Sequence, residues 1–298
     1  MREETFYLGC SDGAQVHVRA WLPDRVRGVV QIAHGAAEHG QRYARVAKAL
    51  ADAGYAVYAN DHRGHGHTVR SAAELGRLAE TGGWDRCVAD LAELNERIQG
   101  RHVGAGVTLL GHSMGSFLAQ RYLVEYGETL TALVLSGSTK LEARPGDASA
   151  DSVEESDPFA VMNAAFAPTR TPFDWLSRDP DEVDRYIADE LCGFALSDAT
   201  FAQMLAAAPR NYQPEELARI PVDLPIYLFA GDRDPVNQGL VGLEALIETY
   251  RNAGLSKLTW RFYPEGRHEM LNETNRDEVV ADLIHWLEGV RGPGGAVP

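Results

Sequence analysis

The residues with the types needed for covalent chemistry are one serine, one histidine and a pair of aspartates, far apart in the chain. Gly111-His112-Ser113-Met114-Gly115 has the form G-x-S-x-G. A serine at a sharp turn projects its hydroxyl clear of the backbone only if the residues two places away lack side chains, and Gly111 and Gly115 give that clearance. A hydroxyl is a poor nucleophile at neutral pH, so a base must take its proton and a third group must hold that base in one tautomer. His268 closes the loop Pro264-Glu265-Gly266-Arg267, and the carboxylates stand in Gly231-Asp232-Arg233-Asp234-Pro235. Only one of Asp232 and Asp234 can orient the imidazole, and the residues alone leave the choice open. The set predicts acyl transfer: Ser113 attacks a carbonyl while His268 takes its proton. The oxyanion then needs donors. One expected donor is the N–H of Met114, at the positive end of a helix dipole. The other is the N–H of Ala36 in His34-Gly35-Ala36-Ala37-Glu38-His39-Gly40, where small residues let the backbone approach a substrate oxygen. His34 itself reads as structural.

These residues must be positioned by strands and helices, and the chain supplies both in alternation. Thr5 to Cys10 and Gln15 to Leu22 flank Ser11-Asp12-Gly13, which predicts an antiparallel hairpin. Gly28 to Ala33, Tyr55 to Ala59, Val107 to Leu110, Leu130 to Leu135, Pro225 to Ala230 and Leu258 to Tyr263 are short, largely apolar runs, as expected of strands covered on both faces. Between them, Tyr43 to Ala53, Trp84 to Ile98, Phe117 to Tyr126, Gly239 to Arg251 and Asp277 to Trp286 read as helices, so a parallel sheet with crossovers follows. Ser113 then lies at a strand–turn–helix elbow, and the acid and base follow later strands in the order serine, acid, histidine. The predicted class is α/β: an α/β-hydrolase fold whose mostly parallel sheet is flanked by helices.

The rhythm breaks over 139–218, which carries Pro145, Pro158, Pro168, Pro172, Pro180, Pro209 and Pro214, short helical patterns and no convincing strand. We expect an inserted helical cap there, with 1–138 and 219–291 forming the core domain and 292–298 a disordered tail. Phe159, Met162, Phe166, Phe173, Trp175, Leu176, Phe194 and Phe201 would pack on the core or line a pocket under the cap. A chain of 298 residues with a formal charge of -15 disfavours nucleic acid and strongly anionic lipid as partners, leaving at most transient contact with lipid interfaces. Met1-Arg2-Glu3-Glu4 carries charge where a secretory signal would start, so the expected location is cytoplasmic. No cofactor or metal is expected. Cys10, Cys87 and Cys192 form no C-x-x-C pair, His62, His65 and His67 lack an accompanying ligand pattern, His268-Glu269-Met270-Leu271-Asn272 lacks the second histidine of H-E-x-x-H, and no phosphate-loop sequence occurs.

Taken together, His34 to His39 with Arg42-Tyr43, Asp61-His62-Arg63-Gly64-His65-Gly66, the Gly111 to Gly115 elbow and Gly231 to Asp234 resemble the monoacylglycerol lipase and lysophospholipase branch of the α/β-hydrolases, which is grouped with S33-type peptidases. Trp175 to Asp179 and Val183 to Tyr186 look like the same group. The resemblance implies that the acid is Asp234, the second carboxylate of the loop. It implies hydrolysis of a lipid-type acyl ester through an acyl-enzyme on Ser113, with Glu38, Arg42 and Tyr43 beside the alcohol end of the substrate or in a structural hydrogen-bond network. The mammalian lipases carry a second histidine three residues past the catalytic one, where this chain has Leu271. Two other readings are an aminopeptidase holding a free amino group with Glu154, Glu155 or Asp157, and a catalytically silent binding protein on the same fold.

Overall fold

The apolar runs become eight strands of one sheet in the computed structural model, which describes residues 1–141 and 158–291. In chain order they are β1 (Arg2–Gly9), β2 (Gln15–Leu22), β3 (Gly28–Ala33), β4 (Tyr55–Asn60), β5 (Val107–His112), β6 (Ala132–Ser136), β7 (Ile226–Gly231) and β8 (Leu258–Tyr263). Their spatial order is β1-β2-β4-β3-β5-β6-β7-β8. The hairpin β1–β2 is antiparallel, turns at Gly13 with φ +88°, and joins the sheet antiparallel to β4. From β4 to β8 every pairing is parallel, so the carboxyl ends of these six strands open onto one edge.

Side-chain alternation along the strands divides the core into two layers. Val30, Ile32, Val57, Leu110, Val134, Tyr227 and Phe229 face α1 (Ala44–Asp52) and the last helix. Leu109, Leu133, Leu135, Ile226, Leu228 and Ala230 face α2 (Gly83–Arg101) and α3 (Met114–Tyr126). Between β6 and β7 the described residues hold α4 (Pro158–Asn163), α5 (Pro180–Ala188), α6 (Asp198–Ala207), α7 (Pro214–Leu217) and several single turns of tighter helix. α8 (Val241–Asn252) joins the α2–α3 layer, and α9 (Arg276–Arg291) joins α1. Asp179 and Ser197 cap α5 and α6 by accepting from the N–H groups of Asp181 and Thr200.

One boundary differs from the sequence expectation in a way that matters. The third helix starts at Met114 rather than Phe117, directly behind Ser113. Gly115 looks like a helix-weakening residue, yet a Cβ there would lie 2.1 Å from the carbonyl oxygen of Ala33, so the close seating of α3 on β3 demands glycine. Among the described residues no helix is long and apolar enough to cross a membrane. Residues 292–298, and Glu154, Glu155 and Asp157, lie outside the described residues.

Candidate active site

β5 and α3 hold Ser113 at φ +51° and ψ -124°, a region that costs a non-glycine residue energy and points its side chain out of the turn. The flanking glycines do what the motif requires: a Cβ on Gly111 would lie 2.5 Å from the carbonyl oxygen of Gly115. The Ser113 N–H donates to Ser136 O at 3.0 Å, tying the elbow to β6, and Ser116 Oγ donates to Ser113 O at 2.6 Å. Among the described residues the amides of Met114 and Ala36 have no acceptor, which leaves both free for a ligand oxygen. The loop after β3 touches the elbow, because a Cβ on Gly35 would lie 3.1 Å from Ser113 Cβ.

β7 and β8 deliver the acid and base. Asp234 is wholly buried, and its Oδ1 lies 2.9 Å from His268 Nδ1 while also accepting from Val236 N–H at 2.9 Å. Asp232, two residues earlier, accepts from Glu265 N–H at 2.8 Å and so braces the loop after β8 instead. The loop geometry thus separates two carboxylates that the residues alone could not. His268 is 1% exposed. With Nδ1–H donated to Asp234, its Nε2 presents a lone pair, and that atom has no partner among the described residues. Its ring lies 4.8 Å from that of His112, the residue before Ser113, and 4.9 Å from that of Trp175. Burial opposes charge on His268, but the Asp234 carboxylate outweighs it and holds the imidazole above its ordinary pKa. Among the described residues His112 hydrogen-bonds Ser136 and no carboxylate, and burial, with the nearby His268, lowers it to about 4.

Glu38, Arg42 and Tyr43 come together in a buried network behind the Ala36 loop. Glu38 accepts from Gly35 N–H at 2.6 Å, from Tyr43 OH at 2.8 Å and from Arg42 at 2.6 Å. Arg42 also makes a bidentate pair with Glu269, at 2.6 and 2.7 Å. Burial raises Glu269 and the Arg42 charge outweighs it, leaving that carboxyl at about 2. The same residues border a small cleft next to His112 and Leu271. His34 donates Nδ1–H to Gly35 O at 2.8 Å and accepts from His62 N–H at 2.9 Å, so both ring nitrogens are occupied.

Sequence reasoning placed Trp175 only among the cap residues that pack on the core or line a pocket, and it missed Glu269 and Gly137. Trp175 lies over His268, and its carbonyl accepts from His268 N–H while Leu176 O accepts from Glu269 N–H. Glu269 itself was passed over as part of a failed metal motif. Gly137, with φ +56°, sits against the imidazole, where a Cβ would come within 2.9 Å of His268 Cε1. Apolar composition of the cap and the W-L-S-R-D resemblance pointed to the first, and no spacing signal marks the other two.

Residues 24–275 match the family described as serine aminopeptidase, S33. A monoacylglycerol lipase from Mycolicibacterium smegmatis is 30% identical over 287 residues, covering 96% of this chain and 97% of that protein. The monoglyceride lipase of Homo sapiens is 29% identical, over 94% of this chain and 88% of its own. Among solved structures, a thermostable carboxyl esterase from Bacillus coagulans in complex with glycerol superposes with a TM-score of 0.84 at 29% identity, covering 97% of this chain and 99% of that one.

Proposed function

We propose that this chain, which belongs to the S33 serine aminopeptidase family of α/β-hydrolases, is a serine carboxylic-ester hydrolase acting on lipid-type acyl esters, most naturally a monoacylglycerol or a lysophospholipid. The observation that carries the reading is the buried Asp234–His268 pair, whose Nε2 has no partner among the described residues and whose ring packs against His112, the residue before the positive-φ Ser113. Ser113 attacks the ester carbonyl as His268 Nε2 takes its proton, forming the C–O bond of a tetrahedral intermediate whose oxyanion is held by the N–H groups of Ala36 and Met114. Asp234 keeps the proton of His268 on Nδ1 and stabilises the imidazolium. The intermediate collapses, the alcohol leaves with the proton from Nε2, and water activated by the same nitrogen releases the acid. The described part of the 139–218 insertion acts as a cap over the acyl chain, with Trp175 as a wall against the base. Glu38 fixes the oxyanion loop through Gly35 and Tyr43, and its pair with Arg42 supports the alcohol side of the cleft.

A fluorophosphonate probe should label the wild type and leave Ser113→Ala unlabelled; labelling that survives the substitution places the nucleophile elsewhere. Comparing p-nitrophenyl esters of increasing acyl length with aminoacyl anilides tests the substrate class. Ester turnover that rises toward medium or long chains supports the reading, and turnover of anilides alone overturns it in favour of peptide hydrolysis.

A further inference from the structure

Away from the serine, the loop after β3 meets the turn after α5 through an arrangement of side chains that no spacing in the sequence announces. A ring nitrogen of His39, a carboxylate oxygen of Asp189 and Cys192 Sγ lie within 4.8 Å of one another. We propose that His39, Asp189 and Cys192 bind one divalent metal ion of zinc type, clamping residues 189–193 to the oxyanion loop.

The donor set is one nitrogen, one oxygen and one sulfur, which suits zinc and its borderline-soft neighbours and leaves a fourth tetrahedral position for water. In a tetrahedral zinc site with bonds of about 2.0–2.3 Å the donors lie about 3.5 Å apart, so closure needs shifts of about 1 Å. His39 is nearly fully buried and its Nε2 lies 2.9 Å from Asp189 Oδ2, while its buried Nδ1 has no partner among the described residues. That free Nδ1 can take the ring proton when Nε2 gives its lone pair to the metal, so the tautomer changes without breaking another hydrogen bond. Asp189 is already oriented, because its Oδ1 accepts from Leu191 N–H at 2.9 Å. Arg42 is the largest charge acting on Cys192, with the carboxylates of Asp189, Glu38 and Glu269 opposing it.

Binding releases the thiol proton of Cys192 to solvent. The clamp acts where the two segments already touch, since Ala37 O accepts from Gly193 N–H at 3.0 Å and from Tyr186 OH at 2.9 Å.

Cobalt titration of the untagged, reduced protein tests the site without reference to activity. One equivalent of Co²⁺ should produce d–d bands of tetrahedral intensity and a thiolate-to-cobalt charge-transfer band. Cys192→Ser should lose the charge-transfer band, and Asp189→Asn should weaken binding by at least tenfold. Absence of saturable binding, or a charge-transfer band that persists in Cys192→Ser, overturns the proposal.

Discussion

Two loops at the same edge of the sheet bury imidazoles, and they put them to opposite uses. After β8, His268 packs between His112 and Trp175 with a carboxylate on Nδ1. After β4, His62 and His65 gather round His34, with ring centroids 4.1 and 5.2 Å from it, and each is tied to backbone or an amide rather than to a carboxylate. Burial dominates in the second group and holds His62 at about 3 and His65 at about 4, with His34 well below its ordinary value. In the first, Asp234 reverses the sign. Burial alone makes an imidazole a neutral packing element; burial with one aligned carboxylate makes it a base that can carry a proton.

The most severe way to break this contrast is to remove the carboxylate's charge. Asp234→Asn should lower kcat/KM by about 10³–10⁴-fold, because the amide no longer stabilises the imidazolium or enforces the Nδ1–H tautomer. Esterase kinetics on the purified variant check it, with folding verified by circular dichroism. A loss below tenfold would mean that Asp234 does not distinguish the two loops.

A second carboxylate, Glu269, adjoins the base, but Arg42 engages it in a buried bidentate pair. Glu269→Ala leaves the buried guanidinium with Glu38 as its remaining carboxylate and should destabilise the fold by up to about 3 kcal/mol, the low end of the usual cost of breaking a buried pair by deleting one partner. Urea denaturation measures this. Glu269→Gln can still accept from Arg42 and should lose less stability. It also removes one of the negative charges that raise His268, so the acid limb of its pH–rate profile should move to lower pH. The charged groups acting on the imidazole are Asp234, Glu269 and Glu38, all of which raise it, while burial opposes them. An unmoved limb would assign Glu269 to packing alone.

For the wild type, the raised pKa of His268 places the acid limb of kcat/KM above the free-histidine value of about 6.5. The base must be neutral to act, so activity rises as pH increases through that value. A limb near pH 4 would put His268 in the same class as His65.

Which of these features a reader of the sequence can see follows from how each is made. Ser113 is legible because its strain needs Gly111 and Gly115 at fixed offsets, and the strands around it are legible because burial on both faces leaves apolar runs. The choice between Asp232 and Asp234 is not written in spacing, since it depends on which way a tight turn aims each side chain. Trp175 over His268, Arg42 on Glu269 and the His39, Asp189 and Cys192 group join segments far apart in the chain, so no local pattern carries them. The start of α3 was hidden for a different reason: Gly115 weakens a helix in isolation and is required only because β3 lies against it.

The smallest effect belongs to the His34, His62 and His65 group, and it concerns stability rather than rate. Their folded pKa values lie below the unfolded value of about 6.5, so between the two the unfolded chain binds more protons and stability rises with pH. Stability should therefore fall as pH drops from about 6.5 toward the folded values of about 4 and about 3 for His65 and His62, by about 2 kcal/mol for each of these two imidazoles at pH 5. His65→Gln removes one titrating group, and its urea midpoint should change less between pH 7 and pH 5 than that of the wild type. His268 works in the opposite sense, since its raised pKa favours the folded state when protonated and that contribution disappears as pH rises. If the urea midpoints of wild type and His65→Gln shift equally between the two pH values, burial is not what keeps that imidazole neutral, and the contrast between the two loops rests on His268 alone.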